Sequence, residues 1–315
     1  MSSMTRKLSI VTTLYRSMDT IDEFIQRALA AGEAVSDDIE IVIVDDGSPD
    51  GSVNIVRNWV ERDARISLLC LSRNFGHHKA MLAGLEHAQG DLIFLIDSDL
   101  EEPPELLSEM AQVLRGKAVD CLYGLQERRK GGRMERISGH LFYWLFSALS
   151  EVRIPQNVST MRLMTRRYVS ALLKFRDKNP VFVPLSILVG YPQASFPFVK
   201  ASSSDTTYSL GRRIALTALA ITTFSAKPLI LMLCFSLMMA FLGIVYGGFV
   251  VVRALTGPVQ DGWASLMAVV VFFFSLNAVF TGLMGLYVKQ ILEEVKDRPR
   301  SIIQDIYSKR NSSES

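Results

Sequence analysis

The 315-residue chain carries 34 Lys and Arg against 32 Asp and Glu, a formal net charge of +2. That balance excludes the gathered polycationic face by which proteins hold nucleic acid, so no nucleic-acid partner is expected. Hydrophobic residues make up 49% of the chain and the mean hydropathy is +0.23, high for a purely soluble protein. The excess sits in two runs after Lys227, each close to the roughly 20 residues that cross a bilayer.

In chain order, LSIVTTL (Leu8 to Leu14) reads as a strand with polar Thr12, Thr13 and Tyr15 at its C-terminal end. Asp19 is placed to cap a helix running to about Ala31. A wholly apolar strand from Ile39 then ends in Asp45-Asp46-Gly47-Ser48, and the Pro-Asp-Gly that follows demands a tight turn and a helix start. A third strand, Ile66 to Leu71, leads to Ser72-Arg73-Asn74-Phe75-Gly76 and a helix over His77 to Ala88. The fourth, Leu92 to Ile96, stops abruptly at Asp97-Ser98-Asp99, followed by Glu101, Glu102 and Pro103-Pro104. Four strand-and-helix alternations predict a mostly parallel α/β sheet with helices on both faces. Every strand end delivers polar groups to one crevice: Thr13 and Tyr15, Asp45 and Asp46, Arg73, then Asp97 and Asp99. Two carboxylates separated by one small residue suit a hard cation such as Mg²⁺ or Mn²⁺, which would bridge a diphosphate. Neither GxGxxG nor GxxxxGK[ST] is present, so no dinucleotide fingerprint or P-loop competes for the role.

Together, VTTLY, VDDGSPDGS, SRNFGHHKA and DSDLEEPPE resemble the family 2 inverting glycosyltransferases, specifically those acting on polyprenyl phosphates. The likeness continues through LYGLQERRKGG, NVSTMRLMTRR, the paired apolar runs and YVKQILEEVKDRPR. It implies a GT-A nucleotide-sugar-binding domain, a nucleotide-sugar donor, a polyprenyl-phosphate acceptor and a Mg²⁺ or Mn²⁺ ion. By this resemblance Asp97, Asp99, Arg129 and Arg162 form the catalytic set, with Asp97, Asp99 and Glu101 as metal ligands. Thr13, Tyr15, Asp45, Asp46, Arg73, Asp97 and Ser98 form the nucleotide set.

The chain departs from the family pattern where Glu101 replaces Gln, Gln126 replaces Arg, Thr207 replaces Lys, and Ser159-Thr160-Met161-Arg162 stands for Gly-Asp-Phe-Arg. Losing the acid at Thr160 does not preclude transfer. A sugar hydroxyl acceptor needs a general base, whereas a phosphate monoester, with a second pKa near about 6, is already a dianion at neutral pH. His77 and His78 do not form a paired metal site, because neighbours on a helix point about 100° apart. The helix N-terminus they open is suited to phosphate.

Ile137 to Leu149 and Leu210 to Phe224 read as amphipathic interfacial segments. The spanning runs are Leu229 to Val252 and Ala264 to Val288. Arg212, Arg213 and Lys227 precede them and Lys289, Lys296, Arg298 and Arg300 follow, while the connecting loop holds only Arg253. Both flanks are therefore expected in the cytoplasm, and the resemblance implies a bacterial inner membrane. The first residues lack a secretory signal, and three cysteines, Cys70, Cys121 and Cys234, are expected as buried small apolar residues of a reducing compartment. The expected organisation is a catalytic domain over 1–227, a two-helix membrane domain over 228–290 and a cytoplasmic segment over 291–315. Part of that segment, Glu293 to Ser308, is a candidate surface for a homo-oligomer. Two rival functions stay open: transfer to another lipid-linked glycan, and a catalytically silent membrane scaffold.

Overall fold

Every residue of the first strand, β1 (Leu8–Leu14), is buried, as a central strand covered on both faces must be. In the computed structural model, which describes residues 7–126, 155, 157–200, 226–256 and 262–309, β1 lies between β2 (Ile39–Asp45) and β4 (Leu92–Leu95), parallel to both. The strand β3 (Ile66–Leu71) runs parallel on the far side of β2. These four are linked by α1 (Ile21–Glu33), α2 (Ser52–Arg62) and α3 (His77–His87). After α4 (Leu106–Gly116) come β5 (Cys121–Gln126), β6 (Val158–Thr165), α5 (Arg166–Leu172), α6 (Phe182–Leu188) and β7 (Gln193–Phe198). The strand β6 is antiparallel to both β4 and β5, and β7 is parallel to β5. The result is the GT-A-like mixed, mostly parallel α/β sheet that the sequence predicts.

Period-two alternation fills both faces. Leu8, Ile10, Leu14, Ile41 and Ile43 pack with α1, α2 and α4, whereas Val11, Val42, Val44 and Ile93 pack with α3, α5 and α6. The α3 helix lies so close that a Cβ on Gly84 would fall 2.6 Å from Val11 Cγ1. The cap expected from Asp19 falls to Thr20, whose side chain makes no capping bond; Asp22 and Glu23 in the first turn supply negative charge to the helix end.

The C-terminal segment differs from expectation. Rather than standing clear as a surface for a second copy, β8 (Ile303–Ser308) pairs antiparallel with β3, completing the order β7-β5-β6-β4-β1-β2-β3-β8. Arg57 stacks 4.2 Å from the Tyr307 ring centroid and donates to its hydroxyl at 2.6 Å. The segment thus covers an edge that would otherwise offer unpaired backbone groups.

The described residues form two units. The first holds the sheet, including Arg298–Lys309; the second holds α7 (Lys227–Thr256) and α8 (Trp263–Val295). Lys227–Phe249 and Phe272–Val295 are long and apolar enough to cross a membrane. Among their described side chains many are exposed, Phe241 being 66% and Phe274 77% exposed, while Phe235 and Phe280 meet edge to face at 5.9 Å. Cys70 and Cys121 are buried, but Cys234 is exposed, because it lies on this outward-facing apolar helix. The segments 137–149 and 210–224, Arg129, and the Thr206 to Tyr208 departure lie outside the described residues.

Candidate active site

Strand order reverses at β1: the chain moves out to β2 and β3, then returns to place β4 on the other side. In open α/β sheets such a reversal opens a crevice beyond the strands' C-terminal ends. The two strand ends are tied together there, because the buried Ser98 donates its hydroxyl to the Thr13 carbonyl at 2.8 Å.

Asp97 stands at the centre. Thr160, on β6 beside β4, donates its hydroxyl to Asp97 Oδ2 at 2.7 Å. The other oxygen, Oδ1, is enclosed and has no hydrogen bond, with His77 Nε2 3.4 Å away. The opposite nitrogen of that ring, Nδ1, lies 3.0 Å from Thr13 Oγ1. Asp99 is exposed and accepts the Glu101 N–H at 3.0 Å. Partial desolvation, and then the charges of Asp97 and Glu101, hold its pKa above the usual carboxylate range. Glu101, expected as a third metal ligand, instead forms an ion pair with Lys200. Glu102 is enclosed and accepts a hydrogen bond from the Ser159 hydroxyl. Burial, with the Asp97 charge adding to it, pushes its pKa up to about 7.

The neighbouring acids at the end of β2 are engaged by backbone. Asp45 accepts the Ser48 N–H at 2.8 Å. Asp46 accepts the N–H groups of Phe75 at 2.7 Å and Gly76 at 3.0 Å, so it pins the loop that carries Arg73. Gly47, at φ +67°, permits this approach: a Cβ there would lie 2.7 Å from the Asn74 nitrogen. Burial raises the pKa of both acids above the ordinary range. Arg73 is exposed and stacks 4.1 Å from the Phe75 ring centroid, and Tyr15 is 45% exposed.

Arg162, expected among the catalytic cations, is only 1% exposed. Its Nη1 donates to the carbonyls of Ser159 and Thr160, each at 3.1 Å, and its Nη2 donates to Ser186 Oγ at 3.1 Å. The guanidinium therefore braces β6 against α6 instead of facing open solvent, and burial lowers its pKa. The fold brings Thr13, Asp97, Ser98 and Asp99 together at the crevice, with Asp45, Asp46 and Arg73 on the adjoining loops. Sequence reasoning missed His77, Glu102 and Lys200 as neighbours of the acids. The His77 and His78 ring centroids lie 5.7 Å apart with their planes inclined by 52°, and burial pushes the His78 pKa down to about 4. The available signal was positional: His77 opens α3 at the same strand-end edge as Thr13 and Asp97.

The acids fit a divalent cation. Asp97 Oδ1 is an enclosed oxygen without a donor, and Asp99 carries the repulsion of neighbouring acids. Among the described residues no three His, Cys, Asp or Glu side chains form a ready-made cage. That is the situation of Mg²⁺-type sites, in which one or two carboxylates share the ion with substrate phosphates.

Residues 9–175, more than half of the chain, match the family model described as Glycosyl transferase family 2. The chain is a family 2 glycosyltransferase. This glycosyltransferase is 36% identical to a Mycobacterium tuberculosis protein described as a glycosyltransferase, over 96% of the chain and 88% of that relative. It is 28% identical to an Escherichia coli prophage bactoprenol glucosyl transferase homolog, over 95% of the chain and 99% of the relative. It is also 28% identical to the undecaprenyl-phosphate 4-deoxy-4-formamido-L-arabinose transferase of Edwardsiella ictaluri, over 95% of the chain and 94% of the relative.

Proposed function

We propose that this glycosyltransferase moves a single hexose, with inversion and with the help of a divalent ion, from a nucleoside-diphosphate sugar to a polyprenyl phosphate. The acceptor is undecaprenyl phosphate at the cytoplasmic face of a bacterial inner membrane. The observation that carries this reading is the hydroxyl of Thr160 on Asp97, where a family acid is expected. Glu102, whose pKa burial pushes up to about 7, is enclosed and bonded to Ser159. With a hydroxyl at Thr160 in place of the family acid, the site suits an acceptor that arrives ionised, and a phosphate monoester is such a nucleophile.

Asp97 and Asp99 would hold Mg²⁺ or Mn²⁺, which would supply positive charge for the nucleoside diphosphate. Thr13, Tyr15, Asp45 and Arg73 hold and orient the nucleotide, while Asp46 and Ser98 fix the loops that present it. Arg129 serves the acceptor phosphate. The names of the bactoprenol and undecaprenyl-phosphate relatives support the acceptor. Two long apolar helices, with Lys and Arg gathered on their outer flanks, support a multi-pass membrane protein whose catalytic unit and C-terminus are cytoplasmic.

The test uses purified full-length protein with undecaprenyl phosphate, Mn²⁺ or Mg²⁺, and a panel of radiolabelled UDP-, GDP- and dTDP-sugars. A butanol-extractable, mild-acid-labile labelled lipid is the expected product. Tight donor binding with no lipid product from any sugar would remove the acceptor assignment, in favour of a lipid-linked glycan or a silent scaffold.

A further inference from the structure

We propose that His77 is itself a ligand of the divalent ion, binding through Nε2 beside Asp97 Oδ1. The proposal rests on the metal dependence put forward above and adds a nitrogen donor to it.

The two atoms are 3.4 Å apart. Ligand atoms each about 2.1 Å from one ion stand about 3.0–3.5 Å from each other, depending on the angle between them. A direct bond does not account for the separation, since Asp97 Oδ1 is enclosed and accepts no hydrogen bond from the imidazole or from any other described group. Each partner is also held from behind. Thr160 occupies Asp97 Oδ2 at 2.7 Å, leaving Oδ1 as the free oxygen. Thr13 Oγ1 stands 3.0 Å from His77 Nδ1. With Nδ1 protonated and donating to Thr13, Nε2 carries a lone pair directed toward Oδ1, an arrangement that repels until a cation lies between them. Metal-bound histidines are characteristically oriented in this way, through a hydrogen bond at the other ring nitrogen.

Backbone geometry fixes the ring's position as well. His77 is the first residue of α3 and follows Gly76 at φ +101°, and the loop before it is tethered by Asp46. The side chain therefore needs no rearrangement to reach the crevice. An imidazole donor also bears on ion choice, because nitrogen ligands favour later first-row metals, whereas Mg²⁺ prefers an all-oxygen shell. The site is expected to prefer Mn²⁺ to Mg²⁺, with His77 the source of much of that preference.

The test is pulsed electron paramagnetic resonance of Mn²⁺ bound to the full-length protein in detergent, with and without UDP or GDP, together with Mn²⁺ titration and Mg²⁺ competition. The wild-type spectrum should contain a directly bound nitrogen. His77→Gln, which keeps a polar group within reach of Thr13, should lose that nitrogen, weaken Mn²⁺ about 10- to 100-fold and narrow the preference over Mg²⁺. Mn²⁺ bound by the wild type with no nitrogen coupling would overturn the proposal alone, and this readout requires no variant to fold. Unchanged Mn²⁺ affinity and coupling in His77→Gln would overturn it too. Failure of the wild type to bind Mn²⁺, with or without nucleotide, would overturn it together with the metal dependence on which it rests.

Discussion

Two strand ends in this protein carry closely spaced acids, and the fold treats them in opposite ways. At the end of β2, Asp45 and Asp46 are buried, yet backbone N–H groups from Ser48, Phe75 and Gly76 point at their oxygens. At the end of β4, Asp97 keeps an enclosed oxygen with no donor, and Asp99 lies among like charges. Asp46 joins two loops, whereas Asp97 keeps one oxygen to which no described group donates. What an acid pair does is thus set by the donors that the fold aims at it, since a carboxylate already holding two or three N–H groups has little left to offer a ligand.

Four substitutions would break or sharpen that contrast. The largest effect is expected from Asp99→Asn, which should lower kcat/KM for sugar transfer about a thousand-fold, the several kcal/mol a bound metal supplies, and leave the melting temperature nearly unchanged. Full activity in this variant would end the metal-bearing reading of β4. Asp46→Ala should do the reverse, costing roughly 2 kcal/mol of stability by unpairing two half-buried N–H groups, as read by chemical denaturation. Glu102→Gln tests the β4 side through pH. The folded-state pKa of Glu102, about 7, lies above the ordinary value of 4.5, so its contribution is fully present below pH 4.5 and is lost as pH rises through 7. Metal-free wild type should lose on the order of 2–3 kcal/mol across that window, and the variant should lose much less. Asp45→Asn should be mildest, changing stability by under about 1 kcal/mol, because the amide oxygen can still accept the Ser48 N–H. If Asp45 also faces the nucleotide, its loss should weaken nucleoside diphosphate binding about tenfold in a calorimetric titration.

The legible part of this architecture was the part written in local pattern. Apolar runs ending in Asp45 and Asp97 announced strands and their polar ends, and the alternation with helices announced the sheet. Partners brought in by topology were not legible. Asp46 meets Phe75, 29 positions on, and Thr160 reaches Asp97 across 63 positions; no spacing rule marks either pair. Arg162 read as a phosphate cation because of its motif, but its place on β6 turns it toward Phe182 and Ser186. Likewise β8 is short and follows a charged turn, and only the open side of β3 gives it a role. His77 is hidden by its neighbour, because two adjacent histidines on a helix give no metal-ligand spacing even when one of them stands beside an acid.

The pairing of β8 with β3 has a topological consequence. Both β7 and β8 belong to one sheet, and α7 and α8 occupy the chain between them. A polypeptide that leaves a sheet and later rejoins it can pass through a bilayer in between only an even number of times. β8 follows both apolar helices in the chain, so the pairing at this edge waits until they have been made. Truncation before Ile303 should therefore leave a protein with both long helices but an unguarded β3, recognisable by self-association through that edge.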